Sequence, residues 1–557
     1  MKLKGAKILM ECLIREGVEV IFGYPGGANL PTFDEIYEGK IKFILVRHEQ
    51  GSAFMADGYA RATGRPGVCM ATSGPGATNL LTGIASAYSD SIPIVAITGQ
   101  VRTWLIGNDA FQESDVIGLT RPITKHNFLV KDVRDLARTV REAFHIASTG
   151  RPGPVLIDLP VNVTQDETEF EWPEKVFIRG YQPTVDGHPG QIKKAADLIA
   201  KCKRPVIYTG GGVNLSGASQ ELTEFVRKTG FPITMTLLGL GAYPGTDPLS
   251  LGMLGMHGHA STNHAVQNCD LLIAIGARFD DRVTGKIEAF CPKAKIIHID
   301  IDPASISKNV VVHVPIVGDV KLVLRGLNDI VQAPDVSEWW AEIREWQKKY
   351  PLWYKEDGSI KPQYLCEAIY RAAGKDAIVA ADVGQHQMWL AQYYRFDYAR
   401  TFLTSGGLGA MGYAFPAAIG AQAAYPNRLV IALVGDGGFQ MTMNELSTVV
   451  QSKLPVKIVI MDNKCLGMVR QWQELFYKKR YSQVFLDEGS PDFVKLAESY
   501  RVTAKRVSKK DDLGPALKEM IATPGPYLLH VEVTVEENVY PMVQAGRALD
   551  DMIGSLS

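Results

Sequence analysis

A glycine-rich turn and an asparagine one strand further along could together hold a magnesium ion on a diphosphate. Residues 435–440 read Gly-Asp-Gly-Gly-Phe-Gln, and an apolar stretch at 456–461 ends in Asp462 and Asn463. Glycines let the backbone approach phosphate oxygens closely, and Mg²⁺ prefers carboxylate, amide and phosphate oxygens as ligands. Gly-Asp-Gly triplets also occur in ordinary strand-turn-helix units, so the spacing to Asn463 is what favours a metal site. We predict that Asp436 and Asn463 bind the metal.

Glu49 is a second carboxylate whose position suits chemistry. An apolar strand predicted at 43–46 ends just before it, and a helix of small residues follows, in the stretch Arg-His-Glu-Gln-Gly-Ser-Ala-Phe-Met-Ala-Asp-Gly-Tyr-Ala. Carboxylates at strand ends are usually solvated, so the position alone makes Glu49 only a candidate.

The segments that must position these residues alternate between apolar strands and stretches of helix length. The predicted strands include 18–22, 68–72, 94–97, 206–208, 271–275 and 429–434. Fully apolar strands that alternate with helices predict an α/β fold of doubly wound parallel sheets. The polar, proline-containing stretches 165–190 and 328–362 are interpreted as linkers. The predicted domains are therefore 1–165, 188–328 and 362–545.

Length and composition agree with several soluble domains. A chain of 557 residues is too long for one core. Its 59 Lys and Arg balance 60 Asp and Glu, which gives no electrostatic case for nucleic acid or an acidic membrane. We find no apolar run of about 18 residues, the length of a membrane span, and expect no signal or import leader. The seven scattered cysteines favour a reducing compartment without disulfides, so we predict a cytoplasmic protein.

The outer two domains read as diverged copies of each other. Ala-Asp-Gly-Tyr-Ala at 56–60 corresponds to Ala-Met-Gly-Tyr-Ala at 410–414, and Ser-Gly-Pro-Gly at 73–76 corresponds to Gly-Asp-Gly-Gly at 435–438. Only the last domain keeps the metal-binding aspartate, so only that domain is predicted to hold Mg-diphosphate.

The middle domain has features of a dinucleotide site. The strand 206–208 opens into Gly210–Gly212, Arg278 lies beside a second glycine turn, and a third strand ends in Asp300 and Asp302. Arginine can pair with phosphate in a bidentate manner, and an acid at a strand end can bind sugar hydroxyls. A nucleotide-like domain kept only as a scaffold is the alternative.

Across nearly its whole length the chain resembles the catalytic large subunit of the acetohydroxyacid synthase (acetolactate synthase) family, which uses thiamine diphosphate (ThDP). The stretches that carry the resemblance are 24–28, 46–60, 72–79, 109–113, 255–258, 278–282, 384–388, 405–412 and 466–472. Many ThDP enzymes have Asn-Asn where this chain has Asp462-Asn463. The 255–258 and 278–282 stretches resemble the FAD-containing biosynthetic branch rather than the flavin-free one.

The resemblance assigns roles to individual residues. It implies that Glu49 binds N1′ of the aminopyrimidine, that Met411 bends the cofactor, and that the Gly27 backbone and Gln112 stabilise oxyanions. The metal ligands that it implies are Asp436, Asn463 and the carbonyl of Cys465. The residues that it implies for ThDP are Glu49, Val383, Gly384, Gln385, His386, Gly409, Met411, Gly435, Asp436, Gly437, Gly438, Asn463, Gly467 and Met468. Those implied for FAD, in a structural role, are Arg151, Gly210, Gly211, Gly212, His257, Gly258, Gly276, Arg278, Asp300, Asp302 and Asp319. Those implied for the substrate pocket are Phe111, Lys125, Val469 and Trp472.

The implied reaction decarboxylates pyruvate and joins its two-carbon unit to a second 2-ketoacid. Pyruvate as acceptor gives 2-acetolactate and 2-ketobutyrate gives 2-aceto-2-hydroxybutyrate, the first common step of valine, leucine and isoleucine synthesis. Since ThDP needs both outer domains, the resemblance implies a homodimer or dimer of dimers with active sites between chains. It also allows for a separate small regulatory subunit.

Two other function classes stay open at this point. One is a flavin redox enzyme of the pyruvate oxidase type, which shares ThDP and FAD; the surroundings of Trp472 and the Arg278 stretch favour the synthase over it. The other is a non-enzymatic regulator that keeps the fold, against which the intact Glu49, Asp436 and Asn463 argue.

Overall fold

Each of the three predicted sheets is present and has six parallel strands. The computed structural model describes residues 2–554. The strands are buried runs of apolar residues; Leu271–Ile275, for example, is buried at every position, because helices cover both faces of a parallel sheet. The predicted α/β class, with three doubly wound parallel-sheet domains, is confirmed.

The N-terminal and C-terminal sheets have the same strand order. Side by side, the N-terminal sheet contains Lys42–Leu45, Val20–Gly23, Gly67–Ala71, Ile94–Gln100, Val155–Pro160 and His126–Leu129. The C-terminal sheet contains Phe402–Thr404, Ile378–Ala381, Val430–Gly435, Lys457–Asp462, Tyr527–Glu532 and Thr503–Val507. Numbered along the chain within each sheet, both orders are 2-1-3-4-6-5. The predicted mutual similarity of the outer domains is therefore confirmed.

The middle sheet has a different order, the one typical of dinucleotide-binding domains. Side by side, it contains Ser250–Met253, Ile233–Met235, Pro205–Thr209, Leu271–Ile275, Lys295–Asp300 and Val314–Val317. Numbered in the same way, the order is 3-2-1-4-5-6. In such sheets ligands bind in the crevice where the order reverses, here between Pro205–Thr209 and Leu271–Ile275.

The α-helices fill the connections between the strands. Those of the N-terminal domain are Gly5–Arg15, Leu30–Ile36, Glu49–Thr63, Pro75–Asn79, Leu81–Asp90, Val116–Thr120, Leu136–Ser148 and Val161–Gln165. Those of the middle domain are Pro189–Ile199, Gly211–Ser216, Ser219–Thr229, Ala260–Asn268, Asp281–Thr284 and Val320–Ile330. Those that follow are Ser337–Lys349, Pro362–Ala373, Gln385–Tyr393, Ala414–Ala424, Asp436–Gln440, Leu446–Ser452, Gly467–Phe476, Phe493–Ser499 and Lys510–Ala522.

Two helices join the outer domains through glycines that allow a very close approach. A Cβ atom on Gly58 would lie 2.1 Å from the Ala417 carbonyl oxygen, and one on Gly420 would lie 1.9 Å from the Met55 carbonyl oxygen. Both distances are far below van der Waals contact, so any larger residue would separate the helices Glu49–Thr63 and Ala414–Ala424. The two domains consequently share one buried seam.

One interpreted linker contains a helix that the polar sequence did not indicate. Ser337–Lys349 lies within 328–362 and packs on the middle domain through Trp339. The Trp339 side chain is buried and its Nε1–H donates to the Pro205 carbonyl oxygen at 3.0 Å. The domain boundaries themselves stay a prediction.

Two short antiparallel pairs complete the strands: Lys2–Lys4 with Glu167–Glu169, and Met542–Val543 with Met552–Ile553. Within residues 2–554, no helix is both long and apolar enough to cross a membrane.

Candidate active site

One large cavity is lined by residues that follow strand ends in both the middle and the C-terminal sheet. Its volume is about 610 Å³, within the range of small-molecule and cofactor sites, roughly 300–1,000 Å³. Asp90, Ser91 and Arg151 contribute a wall from the N-terminal domain. The cavity thus brings together residues from all three domains.

Asp436 is buried in this cavity at the first residue of the helix Asp436–Gln440. Its Oδ2 atom has no hydrogen-bond partner among the described residues. The neighbouring carboxylate, Asp462, is hydrogen-bonded to His530 Nε2 at 2.8 Å. Burial, and then the charge of Asp462, raise the pKa of Asp436 to about 8. A buried carboxylate oxygen without a partner is expensive, so this site fits a bound cation.

Asn463 belongs to a network of amides beside Asp436. Its Nδ2 donates to Gln385 Oε1 at 3.3 Å, and its Oδ1 accepts from the Cys465 N–H at 3.3 Å. Gln385 Nε2 in turn donates to Gln471 Oε1 at 2.8 Å. A Cβ atom on Gly467 would lie 2.1 Å from Gln385 Oε1, so any larger residue there would displace the Gln385 side-chain amide. The network holds the Asn463 amide at the cavity wall.

His386 presents an unpartnered ring nitrogen at the start of the helix Gln385–Tyr393. Its Nε2 is buried without a hydrogen bond among the described residues, and burial lowers the pKa of the imidazole to about 4. Gly384 and Gly435 lie so close that a Cβ on either would be 2.8–2.9 Å from the His386 ring. A helix N-terminus and a neutral imidazole suit diphosphate oxygens.

Asp382 supports the opposite wall, which contains Gly409 and Met411. Its carboxylate accepts the N–H groups of Val383 at 2.8 Å, Gly412 at 3.1 Å and Tyr413 at 3.2 Å. Burial raises the pKa of Asp382 to about 7. Sequence analysis missed this residue, although an acid that directly follows the strand 378–381 was a signal.

The middle-domain part of the cavity begins at the reversal of strand order. A Cβ on Gly210 would lie 2.3 Å from the Gly276 carbonyl oxygen, and one on Gly212 would lie 2.7 Å from Gly276 Cα. The two glycine turns therefore approach each other as closely as backbones can. His257 adds a buried Nε2 without a partner among the described residues; burial lowers the pKa of this imidazole to about 4. This crevice fits a dinucleotide.

Two arginines tie the N-terminal domain to this crevice. Arg151 pairs with Asp302 at 3.2 Å and donates through Nε to Ser91 Oγ at 2.8 Å. Arg278 donates to the Ser89 carbonyl oxygen at 2.7 Å. Both guanidinium groups are thereby held at the rim before any ligand binds.

Comparisons with known proteins follow the same three-part division. Family models described as thiamine pyrophosphate enzyme domains match residues 3–119 (N-terminal TPP binding domain), 192–327 (central domain) and 382–531 (C-terminal TPP binding domain). The probable acetolactate synthase large subunit of Methanocaldococcus jannaschii is 52% identical over 99% of this chain and 95% of its own length. The acetolactate synthase large subunit of Haemophilus influenzae is 48% identical over 99% and 98%, and acetolactate synthase 2, chloroplastic, of Nicotiana tabacum is 49% identical over 99% and 85%.

The chain belongs to the acetolactate synthase large-subunit family of thiamine pyrophosphate enzymes.

Most of the residues that the family resemblance assigned line this large cavity. For ThDP and the metal these are Val383, Gly384, Gln385, His386, Gly409, Met411, Gly435, Asp436, Gly437, Gly438, Asn463, Cys465, Gly467 and Met468. For FAD they are Arg151, Gly210, Gly211, Gly212, His257, Gly276, Arg278, Asp300 and Asp319, and for the substrate Val469 and Trp472. Gly258 and Asp302 are not among the residues that line it. Their individual roles stay predictions.

The residues of the N-terminal domain that were assigned to ThDP, to the oxyanions and to the substrate lie elsewhere in this acetolactate synthase family member. Glu49, Gly27, Phe111 and Gln112 do not line the cavity. Glu49 Oε2 accepts from Asn79 Nδ2 at 3.0 Å, and the Phe111 side chain is 88% exposed. A single chain therefore does not bring Glu49 into the cavity that contains Asp436.

Lys125 is also outside the cavity and has a full set of hydrogen bonds. Its Nζ donates to the carbonyl oxygens of Ile146 and Thr149, both at 2.5 Å, and to Tyr181 Oη at 2.8 Å. Burial lowers the pKa of Lys125 to about 8. In one chain it holds the end of the helix Leu136–Ser148, and its role in the substrate pocket stays a prediction.

Proposed function

We propose that the protein is a ThDP-dependent acetolactate synthase that acts on pyruvate and a second 2-ketoacid. The products are 2-acetolactate from two pyruvates and 2-aceto-2-hydroxybutyrate from pyruvate and 2-ketobutyrate. The observation that carries this proposal is the similarity to acetolactate synthase large subunits over 99% of the chain. The cavity supports it, because its lining contains the sets of residues proposed for both cofactors.

Asp436, Asn463 and the carbonyl of Cys465 would hold Mg²⁺ on the diphosphate. The unpartnered Oδ2 atom of Asp436 supports this assignment, since two side-chain oxygens leave the remaining positions of a Mg²⁺ ion to phosphate, carbonyl and water. Bound ThDP supplies a carbanion nucleophile and the electron sink for decarboxylation. The protein residues anchor, orient and shield it.

Residues 467–472 would keep water and protons away from the reacting atoms. Met468, Val469 and Trp472 lie on one turn and a half of the helix Gly467–Phe476 and all line the cavity. Trp472 is braced edge-on by Phe476, with ring centroids 5.5 Å apart. An apolar wall favours addition to a second ketoacid over release of acetaldehyde, because a proton source is excluded.

The middle domain would hold FAD in a structural role, since no step of the condensation moves electrons. The strand order, the paired glycine turns and the unpartnered His257 nitrogen support a dinucleotide there. Reconstitution with 5-deaza-FAD should therefore restore acetolactate synthesis. Failure of synthesis despite tight binding would favour a redox role for the flavin.

The active site would be completed by a second copy of the chain, in a homodimer or dimer of dimers. Glu49 lies outside its own cavity, and exposed apolar side chains lie close in sequence to Gly27 and Gln112. These are Tyr24 and Leu30 near Gly27, and Trp104 and Phe111 near Gln112. A partner's cavity would bury these side chains and receive the Glu49 carboxylate. The naming of the relatives as large subunits motivates a further proposal, a separate small regulatory subunit.

The cytoplasm is the proposed compartment. All seven cysteines are buried thiols without a disulfide, which agrees with a reducing environment.

The test measures acetolactate formation by the purified protein after its cofactors have been removed and then returned one at a time and in combination. We expect synthesis to need ThDP and Mg²⁺ together, with FAD needed for the folded, assembled enzyme. Oxygen uptake with acetate formation in place of acetolactate would favour an oxidase. An Asp436→Ala variant serves as the control, because it should remain inactive under every combination.

A further inference from the structure

The turn that presents Glu49 is held by a residue of another domain. Glu445, which ends the 3₁₀ turn Met443–Glu445 of the C-terminal domain, has no solvent exposure. Its Oε1 accepts the N–H of Arg47 at 3.1 Å and the N–H of His48 at 3.1 Å. His48 is the N-cap of the helix that Glu49 begins. The carboxylate of Glu445 therefore accepts hydrogen bonds from the N–H groups of the two residues directly before Glu49.

Two residues of the following helix, Thr448 and Gln451, make further hydrogen bonds to Glu445 and to the segment before Glu49. Thr448 Oγ1 donates to Glu445 Oε2 at 2.5 Å and to the Leu45 carbonyl oxygen at 3.3 Å. Gln451 accepts from Arg47 Nη2 at 2.5 Å. The helix Leu446–Ser452 is thus docked against residues 45–48 through Thr448 and Gln451.

Gly51 shows how tightly the carboxylate fits. A Cβ on Gly51 would lie 2.6 Å from Glu445 Oε1, so the first turn of the Glu49 helix passes directly over it. Burial raises the pKa of Glu445 to about 7 even though it accepts hydrogen bonds from Thr448, Arg47 and His48. A carboxylate kept in so unfavourable a place indicates that its contacts to the turn matter.

The Glu49 carboxylate itself has few constraints of its own. The hydrogen bond from Asn79 Nδ2 at 3.0 Å reaches one oxygen, and Gly76 leaves space beside the other, where a Cβ would lie 3.4 Å away. The direction of the side chain therefore depends on the backbone from which it starts.

We propose that Glu445 is a positioning residue for Glu49. It fixes the peptide N–H groups of Arg47 and His48 and thereby aims the Glu49 carboxylate at the aminopyrimidine of ThDP in the partner's cavity. This inference rests on the proposed function, in which Glu49 binds N1′. It deepens that function, because the C-terminal domain would then have two tasks. It would anchor the ThDP in its own cavity, and it would align the Glu49 carboxylate that activates the ThDP in the partner's cavity.

The test uses the holoenzyme and the exchange of the C2 proton of bound ThDP for deuterium, measured by NMR after acid quench. Glu445→Ala should slow exchange by about tenfold or more, since misplacement by about 1 Å can reduce a rate by about 100-fold. The dissociation constant for Mg-ThDP, measured by calorimetry, should stay close to the wild-type value, because Asp436 and Asn463 are untouched. Glu445→Gln should restore most of the exchange, because its amide oxygen can accept from the same N–H groups.

Gln451→Ala is the matched control. It removes a contact from the same segment to the side chain of Arg47 but leaves both peptide hydrogen bonds in place, so exchange should be near the wild-type rate. If Glu445→Ala fails to fold, Glu445→Asp replaces it: the charge remains, the shorter side chain cannot reach the turn, and exchange should again slow.

The outcomes separate this inference from the proposed function. Wild-type exchange in folded Glu445→Ala or Glu445→Asp, with exchange lost in Glu49→Gln, overturns the role of Glu445 alone. Wild-type exchange in Glu49→Gln overturns the role of Glu49 and with it the basis of the inference. A parallel loss of melting temperature, ThDP affinity and exchange in every Glu445 variant would make Glu445 a general stability residue and would also overturn the proposal.

Discussion

The N-terminal and C-terminal domains share one strand order, yet the equivalent turns contain different chemistry. After the third strand of the C-terminal domain the turn begins Gly435-Asp436, and after the third strand of the N-terminal domain it reads Ser73-Gly74. One copy thus has a carboxylate at this turn and the other has none. Duplication preserves where strand ends and turns lie, while the residue placed on each turn decides what that turn can bind.

Each of these two domains also holds a turn of the other through a carboxylate. Glu445 accepts the N–H groups of Arg47 and His48 after the second strand of the N-terminal domain. Asp90 accepts those of Gly406 at 2.9 Å and Gly407 at 2.7 Å after the second strand of the C-terminal domain.

The two contacts differ in how their charges are balanced. Asp90 pairs with the buried Arg61 at 2.7 Å, whereas the donors to Glu445 are uncharged: the N–H groups of Arg47 and His48, the Thr448 hydroxyl and the Asn444 side-chain amide. Asp90 also ends the helix Leu81–Asp90, while Glu445 precedes the helix Leu446–Ser452. The two contacts are therefore not equivalent in the two domains, and neither domain is expected to position its half of the site alone.

The largest expected effect is the loss of Asp436, the carboxylate that distinguishes the C-terminal turn from its N-terminal equivalent. Asp436→Ala should abolish Mg²⁺-dependent ThDP binding, because one of two side-chain ligands is lost and the diphosphate charge is left uncompensated. The FAD absorbance should survive, since that crevice lies in the middle domain. Calorimetry and a visible spectrum check both points, and unchanged ThDP affinity would disprove the metal site.

Loss of the Glu49 carboxylate in the N-terminal domain should leave the binding of ThDP intact. Glu49→Gln keeps the shape of the side chain but cannot favour the imino tautomer of the aminopyrimidine. We expect C2 proton exchange to fall by about 10²–10⁴-fold, the usual contribution of one acid–base group, with ThDP affinity nearly unchanged. Equal losses of affinity and exchange would contradict the division of labour between the copies.

Trp472 tests whether the C-terminal copy also selects the second substrate. A flat apolar face favours the extra methylene of 2-ketobutyrate, and discrimination of one methylene spans about 10–200-fold. Trp472→Ala should bring the product ratio toward unity when the two ketoacids compete. An unchanged ratio in a folded, active variant would transfer this selection to the N-terminal side, where Phe111 is the residue to test next.

The smallest expected effect is on the pH dependence of stability, and it follows from the raised pKa of Asp436. In the absence of a metal, burial raises the pKa of this carboxyl to about 8, whereas an aspartate in the unfolded chain has a pKa of about 3.9. The folded state therefore binds more protons between these values, and this group lowers stability as pH rises from about 4 to 8. Asp436→Asn should remove that contribution and raise the melting temperature near pH 8 by a few degrees, since 1 kcal/mol shifts Tm by about 2–4 °C in domains of 150–250 residues.

Melting curves of both proteins with a chelator present check this prediction. The difference between them reports on Asp436 together with the neighbouring Asp462, whose charge interacts with it, because the other buried carboxyls whose pKa is raised to about 7, Asp158, Asp382 and Glu445, titrate in both. With Mg²⁺ and ThDP added, the order should reverse in favour of the wild type. A difference that does not vary with pH would contradict the raised pKa.

Local patterns in the sequence were enough to predict the fold class and a few of the residues that line the cavity, while the resemblance to a known family implied most of the others. Apolar strands alternating with helices can form only covered parallel sheets, and turns after such strands meet at one edge. Gly210–Gly212, Asp436 and Asn463 could therefore be assigned to that edge from their spacing. The helix Ser337–Lys349 was not predicted, since its polar sequence was interpreted as part of a linker. Its polar sequence gives no sign that Trp339 packs against the middle domain.

Contacts between segments far apart in the chain were decided only by the tertiary structure. Glu445 and Arg47 are separated by 398 positions, and nothing in the periodicity around either residue indicates that they touch. The same holds for Asp90 with Gly406, and for the exclusion of Glu49 from the cavity of its own chain. Residue types and spacing determine which chemistry each turn can perform, but packing between domains determines which turns meet, because each of these contacts depends on where two separately formed sheets come to rest against each other.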